Sequence, residues 1–487
     1  MAASAMGKRL VLSSVLCATM ALGTCPVDAV AKDNTPLITR IQPRTSYPGS
    51  MALQDLLRPA STHPTGIIID PQVSNYPQSI IDRLLTHWDG VKPKVQVFLV
   101  PTEDFTSDVS EAGAIFINAG LIQYFHDNRD IQSEDALAFV LAHELSHVLL
   151  GHTVAQQRNT NIKNYASAAV KWGTLIGGAV SHAGSVAGEA LVSNMGAKAL
   201  ADTALFPSWS RGQETEADTL AIDLMARSGY VLDEALKVER VLVAEEKRDA
   251  EKNARAKKTG PQKFQIDSVT LTASKPDDLD GRLVSGLNTL TQRHPHAEAR
   301  LKAVSQYIDH VYADQDIIAL HTRPMVTWIN SAAVTSFLNQ MNLLQSAAEA
   351  VGNNNWSAAR PTLAKIGFPT NQSAYWTWLH YMVEAHTGKT LDALQILIKA
   401  ANRPDVTLPI ALEWGKLLTQ LGKADAAEKY MADEQNKFND RSFLPIRLLN
   451  ARKSKNGVMN VKLEAQCEAI GDDGIEQQCI AAQKQTP

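Results

Sequence analysis

One stretch constrains this chain more than any other: "SEDALAFVLAHELSHVLLGH", from Ser133 to His152. Apolar residues run almost all the way round the helix it predicts, so that helix is buried on most sides. Ser133 can cap it, and Glu134 and Asp135 fall in the first turn, where the helix dipole favours negative charge. Yet this buried helix carries His143, Glu144 and His147. Buried polar groups need partners. Residues four apart share one face of a helix. His143 and His147 can therefore both reach one metal ion, and neutral imidazole suits zinc. Glu144 stands beside the first histidine, placed to accept a proton from water without itself binding the metal.

A catalytic zinc takes a third protein ligand and keeps one position open. The segment "SRGQETEADTLAIDLM", Ser210 to Met225, supplies a second helix with Glu214 and Asp218 four apart. Glu214 is the expected third ligand. Asp218 is expected to hold the free ring nitrogen of a ligating histidine and fix its tautomer. Glu216 points off that face on helical spacing and is left out. His152, with His126 and His182, lacks metal-ligand spacing and is read as a helix-end residue.

The other segments set the frame. A chain of 487 residues predicts two domains. The formal net charge of −4 gives no reason to expect nucleic acid as a partner. Lys8 and Arg9 precede an apolar run from Leu10 to Leu22, and "AVA" at Ala29–Ala31 offers a cleavage site. Residues 1–31 therefore read as a secretory signal peptide, with an uncleaved N-terminal anchor as the alternative. Cleavage leaves Cys467 and Cys479, which can form one disulfide in an oxidising compartment. "IIDRLLTHW" (Ile80–Trp88) is helical in pattern; Lys94–Val100 and Ala114–Ile122 read as strands. The Ala/Gly-rich segment 165–206 reads either as close-packed helices or as a lid over the site. The mixed-charge run Ala244–Lys258 reads as a solvated helix face.

Beyond about residue 330 a period sets in. Asn354, Gly388 and Gly422 are 34 apart. Ala359, Ala393 and Ala427 follow them by five, and Leu363, Leu397 and Met431 by nine. Ala347, Tyr381 and Gly415 precede them by seven. That spacing predicts tetratricopeptide-type (TPR-like) helix pairs, an array that binds rather than catalyses.

"LAHELSHVLLGH" with "ETEAD" resembles the family of zinc peptidases that includes HtpX and the CAAX prenyl proteases, a gluzincin family. "RHPHAEARL", with His294, Pro295 and Arg300, resembles the His-Pro…Arg segment that follows the third ligand there. The export signal and helical repeats make the plan similar to the BepA-type periplasmic branch. The motifs cover about residues 100–310; beyond them the likeness is one of architecture. The resemblance implies an α+β fold: a zincin-type metalloprotease domain, mostly helical with a small sheet, then an all-α TPR-like repeat domain. The expected layout is a signal peptide at 1–31, a metallopeptidase domain at 32–310, a linker at 311–335 and repeats at 336–455. A tail at 456–487 holds the disulfide.

The chemistry implied is hydrolysis of peptide bonds by one Zn2+ held by His143, His147 and Glu214. Glu144 acts as base, with Asp218 and Arg300 in support. His294 is either an oxyanion stabiliser or a fourth, inhibitory ligand; the plain alternative is that it packs a turn. Substrate is expected to pair with an edge strand near Ala114–Asn118. Where relatives carry an Asn-Ala-Phe stretch, this chain has "EDFTSDVSEAGAIFINAGL" instead, which leaves its substrate contacts open. The expected substrates are misfolded or misassembled envelope and outer-membrane proteins in the periplasm. The repeats would recruit them or an outer-membrane assembly machine, and peripheral membrane contact stays open. The competing reading is a latent or non-proteolytic zinc-stabilised chaperone or adaptor.

Overall fold

The computed structural model describes residues 34–47, 56–57, 60–61, 65–103, 105–110, 112–152, 209–258, 263–266, 269–272, 296–314, 319–469 and 473–484. Segment 1–31, where a signal peptide is expected, the Ala/Gly-rich segment 165–206, and His294 with Pro295 lie outside them.

Helix α1 (Pro71–Thr86) is capped by Asp70, whose side chain accepts from the Gln72 amide, and Pro71 sets its first turn. The sheet follows: β1 (Gln96–Val100), β2 (Ser107–Val109) and β3 (Ala114–Asn118) in the order β1-β3-β2. β3 pairs parallel with β1 and antiparallel with β2. Alternate residues serve two cores. Val97, Leu99, Ile115 and Ile117 enter the main core, while Phe98, Val100, Ala114 and Phe116 pack with Leu57 and Ile67. A sheet buried on both faces explains why β3 is apolar along most of its length.

Two expectations change here. The strand read at Ala114–Ile122 ends at Asn118, and Ala119–Asp127 is helix α2. Moreover, β3 is the central strand, so no chain can add to it. The edge that faces the site is β2, which touches the catalytic helix.

That helix is α3 (Glu134–Leu150), with Ser133 accepting from the Ala136 amide and Gly151 ending it in a left-handed turn. Every residue in it except Val140 and Leu150 is buried. It packs on α4 (Arg211–Arg227), α5 (Asp233–Lys258), α1 and β2. A capping box of Ser210 and Gln213 opens α4. β4 (Lys263–Ile266) and β5 (Val269–Thr272) form a hairpin, and α6 (Ala297–Val311) lies on α4 and α5.

The segment 311–335, expected to be a linker, holds helix α7 (Thr322–Ile329). Met325, Trp328 and Ile329 are buried in the main core, and the Trp328 indole donates to the Val73 carbonyl. Burial of these three large apolar side chains draws this segment inward, while Val326 stays exposed.

The remaining helices come in pairs that pack side by side: α8 (Ala332–Gly352) with α9 (Trp356–Leu363), α10 (Ala374–His386) with α11 (Thr390–Ala401), and α12 (Leu408–Gln420) with α13 (Ala424–Phe438). α14 (Leu444–Lys453) follows with α15 (Gly457–Glu468) and α16 (Asp473–Lys484). Asn354, Gly388 and Gly422 each turn one helix into its partner at positive φ. Ala359, Ala393 and Ala427, and Leu363, Leu397 and Met431, are buried between the helices. Cys467 and Cys479 form a disulfide joining α15 to α16, so the C-terminal segment is a stapled helix pair.

Candidate metal and catalytic site

Helices α3 and α4 cross so that their polar residues meet at the centre of an apolar contact. His143, His147 and Glu214 each bring a ligand atom to within 4.8 Å of the others. The two Nε2 atoms are 3.2 Å apart, and each lies 3.6–3.7 Å from a Glu214 carboxylate oxygen. All three residues are buried. Two imidazole nitrogens and a carboxylate converging in a buried space form a donor set for a divalent metal ion.

Around this group sits a second layer. His143 Nδ1 lies 2.7 Å from Asp218 Oδ1. Arg300 on α6 clasps Asp218 through Nε to Oδ2 at 2.8 Å and Nη2 to Oδ1 at 2.7 Å. The same guanidinium reaches Glu214 at 3.1 Å and Glu239 at 3.1 Å. Burial raises the Asp218 pKa, but the Arg300 charge and hydrogen bonds, with His143, outweigh it and hold the carboxyl well below the usual range. Burial opposes the Arg300 charge in turn, and the charges of Asp218, Glu239 and Glu214 more than compensate. Three carboxyl groups thus face one guanidinium, an excess of acid that a divalent cation offsets.

Glu144 is buried one residue along from His143. Ser107 on β2 donates its hydroxyl hydrogen bond to Glu144 Oε1 at 2.8 Å. A cavity of about 40 Å³ adjoins Glu144, Ser107 and His143, large enough for water. A carboxylate beside a metal-ligand group, with room for water, is an arrangement for general-base chemistry.

Residues 71–308 match the model of Peptidase family M48. The domain carrying this site is an M48 peptidase domain. Its curated relatives include the beta-barrel assembly-enhancing protease of Escherichia coli (strain K12), 29% identical over 166 residues. That alignment covers 34% of this chain and 31% of the relative. The metalloprotease YcaL of the same strain is 31% identical over 141 residues, covering 29% of this chain and 47% of YcaL. The putative beta-barrel assembly-enhancing protease of Vibrio cholerae is 26% identical over 164 residues, or 34% of this chain and 31% of the relative. The chain thus spans about a third to a half of the length of the curated relatives it matches.

The M48 domain brings together His143, Glu144, His147, Glu214, Asp218 and Arg300, all singled out by spacing or motif. Spacing points to neither His152 nor Glu216. His152, at the end of α3, also lies against His147, and Glu216, outside the His143, His147 and Glu214 group, lies against His152. Ser107 and Glu239 carried no signal at all: each is an ordinary polar residue until the fold places it. Among the described residues no helix is long and apolar enough to cross a membrane.

Proposed function

We propose that this chain is a zinc-dependent endopeptidase of the bacterial periplasm that acts on misfolded or misassembled envelope proteins. The observation that carries the reading is Glu144. It stands beside the buried His143, His147 and Glu214 group and is oriented by Ser107 from the edge strand of the sheet. His143, His147 and Glu214 would hold one Zn2+, which supplies Lewis acidity toward a peptide carbonyl.

The chain's own residues do the rest. Asp218, anchored by Arg300, holds the His143 ring in one orientation. Glu144 removes a proton from the attacking water at its carboxylate and returns it to the leaving amine nitrogen. The substrate lies extended beside β2, its backbone paired with the strand edge turned away from β3.

Two further observations extend the reading. The 34-residue spacing of Asn354, Gly388 and Gly422, each at the turn between paired helices, supports a tetratricopeptide-type array that recruits substrate or an outer-membrane assembly machine. The names of the beta-barrel assembly-enhancing proteases of Escherichia coli and Vibrio cholerae point to the same setting. The basic start and apolar run of residues 1–31 support export to the periplasm. The test is digestion of an unfolded model protein by the purified chain. Cleavage stops on chelation and returns with zinc; cleavage that persists in chelator contradicts the proposal.

A further inference from the structure

His147 has two ring nitrogens, and the structure accounts for both. Nε2 faces His143 Nε2 and Glu214, toward the ligand group. Nδ1 lies 3.0 Å from Nδ1 of His152, and Nε2 of His152 lies 3.2 Å from Oε2 of Glu216. His152 reaches this position because Gly151, at φ +74°, turns the chain back as α3 ends. His152 is buried, and the Trp209 ring stacks on His147 with centroids 4.2 Å apart.

Two ring nitrogens at hydrogen-bond distance share one proton, so one donates and the other accepts. Two arrangements exist for neutral imidazoles. In the first, His147 carries its proton on Nδ1 and donates it to His152. The His152 proton is then on Nε2, where it donates to Glu216. This leaves the Nε2 lone pair of His147 free for a metal. In the second, His152 donates from Nδ1 and turns its own Nε2 lone pair against the Glu216 carboxylate. His147 then carries a proton on Nε2 and cannot ligate. Glu216 favours the first arrangement by accepting what only that arrangement offers.

We propose that His152 and Glu216 are positioning residues that hold His147 in its metal-binding tautomer. The inference rests on reading His143, His147 and Glu214 as a metal site. It gives each histidine its own carboxylate: buried Asp218 acts directly on His143, and half-exposed Glu216 acts through His152 on His147.

The test is the zinc dissociation constant of the full chain, measured by competition with a chromophoric chelator, alongside thermal melting of the zinc-free protein. His152→Ala should weaken zinc binding about 10- to 100-fold. His152→Asn, which restores an acceptor near the lost Nδ1, should recover part of that loss. Glu216→Gln, which can accept or donate, should weaken binding by less than His152→Ala does. The proposal is overturned if His152→Ala, melting like the parent, binds zinc as the parent does, or if the Asn variant recovers nothing. Should His152→Ala fail to fold, Glu216→Gln binding as tightly as the parent overturns it. A parent that binds no zinc defeats the metal-site reading itself, a separate outcome.

Discussion

Arg300 shows how much rests on one side chain. Its guanidinium touches Asp218, Glu214 and Glu239, all buried. Arg300→Met leaves three carboxyl groups without their cation. It should cost roughly 3–5 kcal/mol of stability, read as a lower denaturant midpoint, and Arg300→Lys should not restore it because the planar fork is lost. At this scale the sequence was informative where function demands fixed spacing. His143 with His147, and Glu214 with Asp218, are each four apart because one helix face must present both. Ser107 and Glu239 were illegible because their partners are far away in the chain. His152 shows no metal-ligand spacing; it matters only because Gly151 folds it back onto the preceding turn as α3 ends, and its partner Glu216 stands 64 residues further along the chain.

Helices and strands differed in how plainly they could be read. The α3 and α4 starts carry their own caps, Ser133 and Ser210. β2 is three residues long, and "SDV" shows no apolar alternation, so the order β1-β3-β2 had no sequence signature. β3, which reads as an edge strand, is therefore the central one, and of the two edges it is β2 that touches α3. The helix pairs announced themselves through glycine at the turns and alanine at the close contacts. A further turn, at Lys455, also has positive φ but lies 33 residues after Gly422 with lysine in place of glycine, which hid it. Gly422 sits at φ +72° with open space around it. Gly422→Ala therefore meets only backbone strain and should cost about 1 kcal/mol in thermal or denaturant unfolding. No loss of stability there would contradict the turn geometry.

Across the whole molecule, the two expected domains are joined by a shared element rather than a linker. Val334, Phe337 and Leu338 at the start of α8 enter the core that holds the site. Leu344, Ala347 and Val351 further along enter the first pair of the helical array. The array ends in the Cys467–Cys479 staple, 12 residues apart in sequence. Closing so short a loop is worth roughly 3 kcal/mol of unfolded-chain entropy, so reduction should loosen α15 and α16 while the distant metal group is unaffected. Amide exchange with and without reductant measures this, and protection lost across α3 instead would contradict it. Whether Glu144 is the base is decided by one paired measurement: zinc content and cleavage of an unfolded protein by the parent and by Glu144→Gln. Both should bind about one zinc, and the variant should cleave at least 100-fold more slowly. A variant that holds zinc and cleaves at the parent's rate would show that Glu144 is not the base.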